Sequence, residues 1–478
     1  MQIETLAPAH DRQDLRPRIL HIGFGAFARA HQLVYLDQVL ADGGDWGVIA
    51  CRLNSGVEDL DALDAADGIY HVLEADDQGI VARPVGAVVG SLHPVRDGIA
   101  AVTGRIADPA LAIISLTITE KGYALKGDGL DADHAGIKAD LANPDAPRTA
   151  IGVIVAGLRA RRDAGQGGLT VMSCDNLPHN GRLARAAVLD YARLLDADLA
   201  GWIEGNVRFP ATMVDRIVPA LNDKALALIE QATGRADPNS ILTEPFRQWV
   251  IEDDFAAGRP AFEDAGAQMV QDVAPFEEMK LRMLNGSHTF LACLGQLAGC
   301  ETVSDCMDDP VLRDAARRLM LTEQAPTLRP LPGVDIADYA DQLIARFGNS
   351  TLQHRTAQIA TDTSAKLPQR LVAPAAAHLA ADRDWPLTAL AIAGWMRLVR
   401  QTVDGGGKPA DPMADRLAQV VADTQDGGDY VTAMLALTQV FPVELAADPR
   451  FAAPIASAYL NIVRTGARTA IANAMGAA

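Results

Sequence analysis

Lys280, Asn285 and His288 lie in the stretch Glu277-Glu278-Met279-Lys280-Leu281-Arg282-Met283-Leu284-Asn285-Gly286-Ser287-His288, which runs on through Phe290, Leu291, Leu294 and Leu297. At about 100° per helical residue, Asn285 falls roughly 140° from Lys280, and His288 roughly 80° from Lys280 and 60° from Asn285. One arc of a mostly apolar helix therefore holds all three polar groups. Burying such groups without partners is costly, and chemistry gives them a reason to be there. A partly desolvated lysine has its neutral amine favoured, and a pKa drawn towards working pH suits proton transfer. Taken singly, each has a plainer reading: a snorkelling lysine, an asparagine bonded to its own backbone, a satisfied core histidine.

The elements that must position these groups begin near the N-terminus. Arg18-Ile19-Leu20-His21-Ile22-Gly23-Phe24-Gly25-Ala26-Phe27-Ala28-Arg29-Ala30-His31 reads as an apolar strand, a glycine turn and a helix continuing through Leu33, Tyr35, Leu36 and Val39. In that context G-x-G-x-x-A is a dinucleotide turn. Gly23 makes the turn, Gly25 admits a pyrophosphate, Ala26 and Phe27 line it, and Ala28 keeps the helix close to its strand. A second strand, Trp46 to Leu53, ends without the acidic residue that would hold an adenosine ribose; Arg52, Asn54 and Ser55 stand there, with Glu58 and Asp59 beyond. Asn54 is assigned to the cofactor. Arg52 either favours a 2'-phosphate or is a solvated strand-end charge, which leaves NAD as the cofactor with NADP open.

Further strands are expected at Val85–Val89, Leu111–Leu116 and Leu169–Ser173, separated by helical stretches such as Thr149 to Ala164. The alternation predicts an α/β fold, a Rossmann-type doubly wound parallel sheet. Ligands of such sheets sit beyond the strands' carboxyl ends. That rule selects Thr117 to Tyr123, with Thr117 and Thr119 as cofactor contacts, and Cys174 to Gly181. Asn176 there either offers an amide to a substrate oxygen or closes an Asx-turn. From about Lys280 the pattern is almost wholly helical, with helices expected over 309–323, 335–347, 352–360, 374–381, 386–403, 414–424, 430–440 and 452–474. The expected organisation is a dinucleotide-binding domain over 1–276 and a mostly α-helical substrate domain over 277–478, with the lysine at the hinge.

A net charge of -19 over 478 residues excludes nucleic-acid and anionic-membrane partners, which need a basic face. An anionic substrate must then meet a local group of cations. No apolar run reaches the roughly 18 to 20 residues of a membrane span, and Glu4, Asp11 and Asp14 do not suit a signal peptide. A cytoplasmic protein, monomeric or a small homo-oligomer, is expected. Five cysteines without a C-x-x-C pair suit a reducing compartment, and the scattered histidines predict no metal.

Five blocks carry a resemblance: Gly23 to Gln32, Ser115 to Glu120, Met172 to Pro178, Met213 to Ile217 and Lys280 to His288. In this order they resemble the mannitol dehydrogenase family of polyol-specific long-chain dehydrogenases/reductases. The resemblance implies hydride transfer between a nicotinamide and a secondary alcohol or ketone of an open-chain sugar derivative, without metal. It implies Lys280 as general acid/base, Asn176 and Asn285 as donors to the carbonyl and alkoxide, His288 as substrate-positioning and Glu277 as proton relay. Asp215 matches a family motif position near the substrate.

Gln358 stands where mannitol-oxidising members carry arginine, and His354-Arg355 precedes it. With Lys366-Leu367-Pro368-Gln369-Arg370, this segment resembles the uronate-reducing branch, which interconverts D-fructuronate and D-mannonate. Lys121, Arg355, Lys366 and Arg370 are the cations available to a sugar-acid carboxylate, although each also reads as a surface charge. The alternatives are a sugar-alcohol dehydrogenase acting on mannitol or arabinitol, and a nicotinamide-binding regulatory protein without turnover.

Overall fold

Strand β1 (Arg16–Ile22) ends in four buried residues and leads into two helices, α1 (Ala26–Ala30) and α2 (Gln32–Ala41), before β2 (Trp46–Cys51). Strands β3 (Val88–Leu92), β4 (Ile113–Leu116) and β5 (Thr170–Ser173) complete an all-parallel sheet of order β5-β4-β1-β2-β3. The β4 and β5 residues are buried throughout, as strands covered on both faces must be. The order reverses between β1 and β4, and Ile22 pairs with Leu116 at that point. A crevice opens there, beyond the carboxyl ends. These strands belong to a computed structural model describing residues 2–331 and 333–476, in which the chain divides into two compact units, Met1–Ala274 and Pro275–Ala478.

Two sequence expectations in the first unit are corrected. The helix after the glycine turn is broken at His31, whose φ of -119° and ψ of -83° leave the helical region. Distant side chains take the carbonyls that would continue it: Tyr70 Oη donates to Arg29 and Arg216 Nη1 to Ala30. The expected strand Val85–Val89 is also divided. The Gly86 N–H donates to Asp37 Oδ1 (2.7 Å) and its carbonyl accepts from Arg12 Nε (2.7 Å). Both groups are thus lost to the ladder, so Ile80–Val85 joins a second, four-stranded sheet while Val88 begins β3.

The second unit is helical around α3 (Asn285–Leu297) and α4 (Pro386–Asp404), which pack on each other through Leu294 and Gly394. The α4 N-terminus has no cap of its own. The Glu323 carboxylate replaces one, accepting from the N–H groups of Leu387 (2.8 Å) and Thr388 (2.7 Å). Several expected helices are shorter or divided. The 352–360 stretch is helical only over Thr356–Ile359, and Gly466, at φ +79°, splits 452–474 into Pro449–Thr465 and Ala467–Gly476. Among the described residues, wide π-helical turns occupy Lys280–Leu284, Leu319–Gln324 and Pro368–Val372, and the first packs against the other two.

Candidate active site

In the first unit the crevice is built around Gly23. Its φ is +91°, and a Cβ there would lie 2.2 Å from the Thr117 carbonyl oxygen, so no side chain fits. The N–H groups of Gly23 and Phe24 donate to the Cys51 carbonyl at 2.9 and 3.1 Å, tying the turn to β2. Gly25 is different. Its backbone is extended, and a Cβ would meet only the Gly23 carbonyl, at 3.6 Å. The protein itself leaves that space open. Gly23, Gly25, Ala26 and Phe27 line a cavity of about 690 Å³ together with Thr117, Thr119, Lys121 and Asn176. Ala28 is fully buried beneath it.

A chain of hydrogen bonds fixes the floor of this crevice. Thr117 Oγ1 donates to the Gly23 carbonyl (2.7 Å), so it accepts from His21 Nε2 (2.9 Å), and His21 Nδ1 accepts from Ser115 Oγ (2.7 Å). Burial pushes the imidazole down to about 3, so the ring is neutral. Asp175 holds the facing loop. Its carboxylate accepts from the N–H groups of Ile118 (3.0 Å) and Thr119 (2.8 Å) and from Tyr123 Oη (2.7 Å). Desolvation nevertheless holds that carboxyl above its ordinary range. Thr119, at φ +63°, sits in the left-handed region that such anchoring must pay for. Neither His21 nor Asp175 was a sequence candidate. Their one signal was a polar residue inside or directly after an apolar strand.

Asn176 follows Asp175 and is exposed on the rim of the same cavity. Asn54 lines a neighbouring cavity of about 470 Å³ with Arg52 and Ser55. Arg52 is paired with Asp59, and its guanidinium lies over Gly56. Asp215 ends a separate antiparallel strand, Thr212–Asp215, where it is buried opposite Gln248. The next residue, Arg216, is spent on Glu74 Oε1 (2.6 Å) and on the Ala30 and Glu244 carbonyls.

In the second unit Glu277, Lys280, Asn285 and His288 are all buried. The even 100° spacing does not apply between Lys280 and Asn285, because the intervening turn is π-helical. The Asn285 N–H is shared among the carbonyls of Arg282, Leu281 and Lys280, the last of them five residues back. Asn285 therefore lies about one turn beyond Lys280 and not far round the helix from it. The side chains around the turn compete for its backbone groups: Ser287 Oγ donates to the Met283 and Leu284 carbonyls, and Thr289 Oγ1 to that of Asn285 (3.0 Å). Asn285 Nδ2 is buried and has no hydrogen-bond partner among the described residues. The His288 ring lies 4.5 Å from Phe347 and 5.5 Å, edge-on, from His354.

The cations proposed for a carboxylate separate into distinct environments. Lys121, in the first unit, is exposed in the cavity beside Asn176. Arg355 is exposed at the start of Thr356–Ile359. Lys366 Nζ donates to the carbonyls of Ile359 (3.2 Å) and Thr361, and desolvation followed by the nearby Arg370 charge draws its pKa down. Arg370 Nη1 donates to the Asn285 carbonyl (3.3 Å) and to Thr289 Oγ1 (3.2 Å). Among the described residues there is no group of three or more side chains suited to a metal ion, and no helix long and apolar enough to cross a membrane.

Comparison with known proteins matches residues 17–264 to the mannitol dehydrogenase Rossmann domain and residues 272–463 to the mannitol dehydrogenase C-terminal domain. The chain is 49% identical to the uncharacterized oxidoreductase YeiQ of Escherichia coli (strain K12), over 98% of this chain and 97% of the relative. It is 46% identical to the D-mannonate oxidoreductase of the same organism, over 97% of each. The structure of Pseudomonas fluorescens mannitol 2-dehydrogenase in ternary complex with NAD and D-mannitol is similar at a TM-score of 0.86 and 35% identity, covering 99% of this chain and 97% of that one.

Proposed function

Since the chain belongs to the mannitol dehydrogenase family, we propose that it interconverts a keto sugar acid and its aldonate, D-fructuronate and D-mannonate, with NAD. The observation that carries this reading is the π-turn that brings Asn285, with its uncommitted amide, one turn beyond Lys280 in a buried setting. A proton-transfer group next to an oxyanion donor is what alcohol oxidation requires. The likeness to a D-mannonate oxidoreductase, and the exposed Gln358 where an arginine would serve mannitol, support the acid over the alcohol.

NAD, when bound, would supply the hydride acceptor for the alcohol carbon. The open space at Gly25 and the turn at Gly23 fit such a ligand, and Ala26, Phe27, Asn54, Thr117 and Thr119 are the residues that would hold it. Lys280 takes the hydroxyl proton as the carbonyl forms and gives it back on reduction, with Glu277 as its relay. Asn285 Nδ2 donates to the oxygen on which charge develops, a contribution larger in the transition state than in the ground state, and the Asn176 amide of the first unit is assigned to the substrate. His288, fixed against Phe347, orients the substrate, and Asp215 serves the same end. Steady-state rates with D-mannonate, D-mannitol and D-arabinitol, each with NAD and NADP, test the reading. A preference for D-mannonate supports it, and a preference for either polyol replaces it with a sugar-alcohol dehydrogenase. Absence of turnover on all three removes both.

A further inference from the structure

We infer that Arg370 is the residue that recognises the substrate's carboxylate, and so sets the preference for a sugar acid over a neutral polyol; this rests on the oxidoreductase reading above. Among the four candidate cations only Arg370 combines a fixed position, an unspent charge and contact with the helix of Lys280 and Asn285. Its Nη1 is held by the Asn285 carbonyl and by Thr289 Oγ1, at 3.3 and 3.2 Å. The backbone approaches just as closely: a Cβ on Gly286 would lie 3.2 Å from the Arg370 carbonyl oxygen. Glycine at 286 thus lets the π-turn Pro368–Val372 press onto the start of α3, so the guanidinium is oriented before any ligand arrives.

The charge has no counterpart. Among the described residues no carboxylate pairs with Arg370, and Nε and Nη2 hold no hydrogen bond. Both atoms remain reachable, while the protein around them is dense enough for desolvation to push the guanidinium down to about 10. Lys366, one helical turn earlier, adds a like charge. A half-buried arginine beside a lysine, with no carboxylate paired to the arginine, is costly to keep. A bound carboxylate relieves that cost, and the free edge of the guanidinium has the fork geometry to take one in two parallel hydrogen bonds. Lys366 itself is committed to the Ile359 and Thr361 carbonyls, which leaves Arg370 as the donor.

The test compares D-mannonate, its neutral isostere D-mannonamide and D-mannitol, using NAD with the wild type, Arg370→Met and Arg370→Lys. The wild type is expected to use D-mannonate roughly 10- to 100-fold better than D-mannonamide. Arg370→Met is expected to erase that discrimination, chiefly through KM for the acid, and Arg370→Lys to restore part of it. Losses that are equal on the acid, the amide and the polyol would make Arg370 a packing residue. Equal use of D-mannonate and D-mannonamide by the wild type overturns the assignment even if Arg370→Met fails to fold. A wild type that prefers D-mannitol removes the sugar-acid reading itself, an outcome visible before any variant is made.

Discussion

The N–H of Asn285 reaches back five residues to the carbonyl of Lys280, across a turn that an α-helix would have closed in four. The wider turn keeps Asn285 about one turn from the lysine, and directly after it Ser287 and Thr289 place their hydroxyls on the carbonyls of Met283, Leu284 and Asn285.

Lys280→Met should lower turnover by about 10²- to 10⁴-fold while leaving NADH binding, followed by the quenching of protein fluorescence, within a factor of about two. Turnover close to that of the wild type would take the lysine out of the chemistry.

The glycines of the cofactor turn should separate stability from binding. Gly23→Ala forces a methyl into the Thr117 carbonyl at a left-handed position and should cost at least about 2 kcal/mol in urea unfolding. Gly25→Ala meets nothing closer than 3.6 Å in the protein, so stability should hold while affinity for NADH falls roughly 10-fold. The opposite pattern would assign the ligand space to the wrong glycine.

His21 makes stability depend on pH with a definite sign. Its folded pKa, about 3, lies below its ordinary value of 6.5, so the unfolded chain binds the extra proton between those values. Its contribution is complete above pH 6.5 and is lost as pH falls towards 3, at up to about 1.4 kcal/mol per unit. Urea midpoints at pH 7.5, 6 and 5 should therefore decline, and His21→Gln should flatten the decline by close to one proton. An unchanged slope in the variant would mean that other groups carry it.

Asp175→Asn keeps the shape of the side chain but turns an acceptor of three donors into a group that must itself donate. The change should cost about 1 to 3 kcal/mol and loosen the segment from Thr117 to Tyr123, seen as faster amide exchange there and a raised KM for the cofactor. Exchange that remains slow would show that the strained Thr119 is held by something else.

The apolar runs that became β1, β2, β4 and β5, and the glycine turn after β1, were legible because local pattern and burial agree there. The break at His31 was not, since the groups that cause it, Tyr70 and Arg216, are remote in sequence. Gly86 divides two sheets for a similar reason: Asp37 and Arg12 capture its backbone. The trio Lys280, Asn285 and His288 stood out by residue type, yet their angular relation was misjudged because counting at 3.6 residues per turn cannot reveal a π-turn. Lys366 and Arg370 look alike as charges on one segment. Only the folded structure shows the Lys366 ammonium on the Ile359 and Thr361 carbonyls, and Arg370 held through Nη1 alone.

The turn at Lys280–Leu284 also carries one residue of slack. Deleting Arg282 would let the segment close as ordinary α-helix, with α3 still seated on α4 and Lys280 four residues, still about one turn, before Asn285. A deletion, which usually costs a chain both its fold and its activity, would here leave the lysine and the amide on one face of the helix. A one-residue change of length is thus something this segment could absorb with its pair of polar groups kept in register.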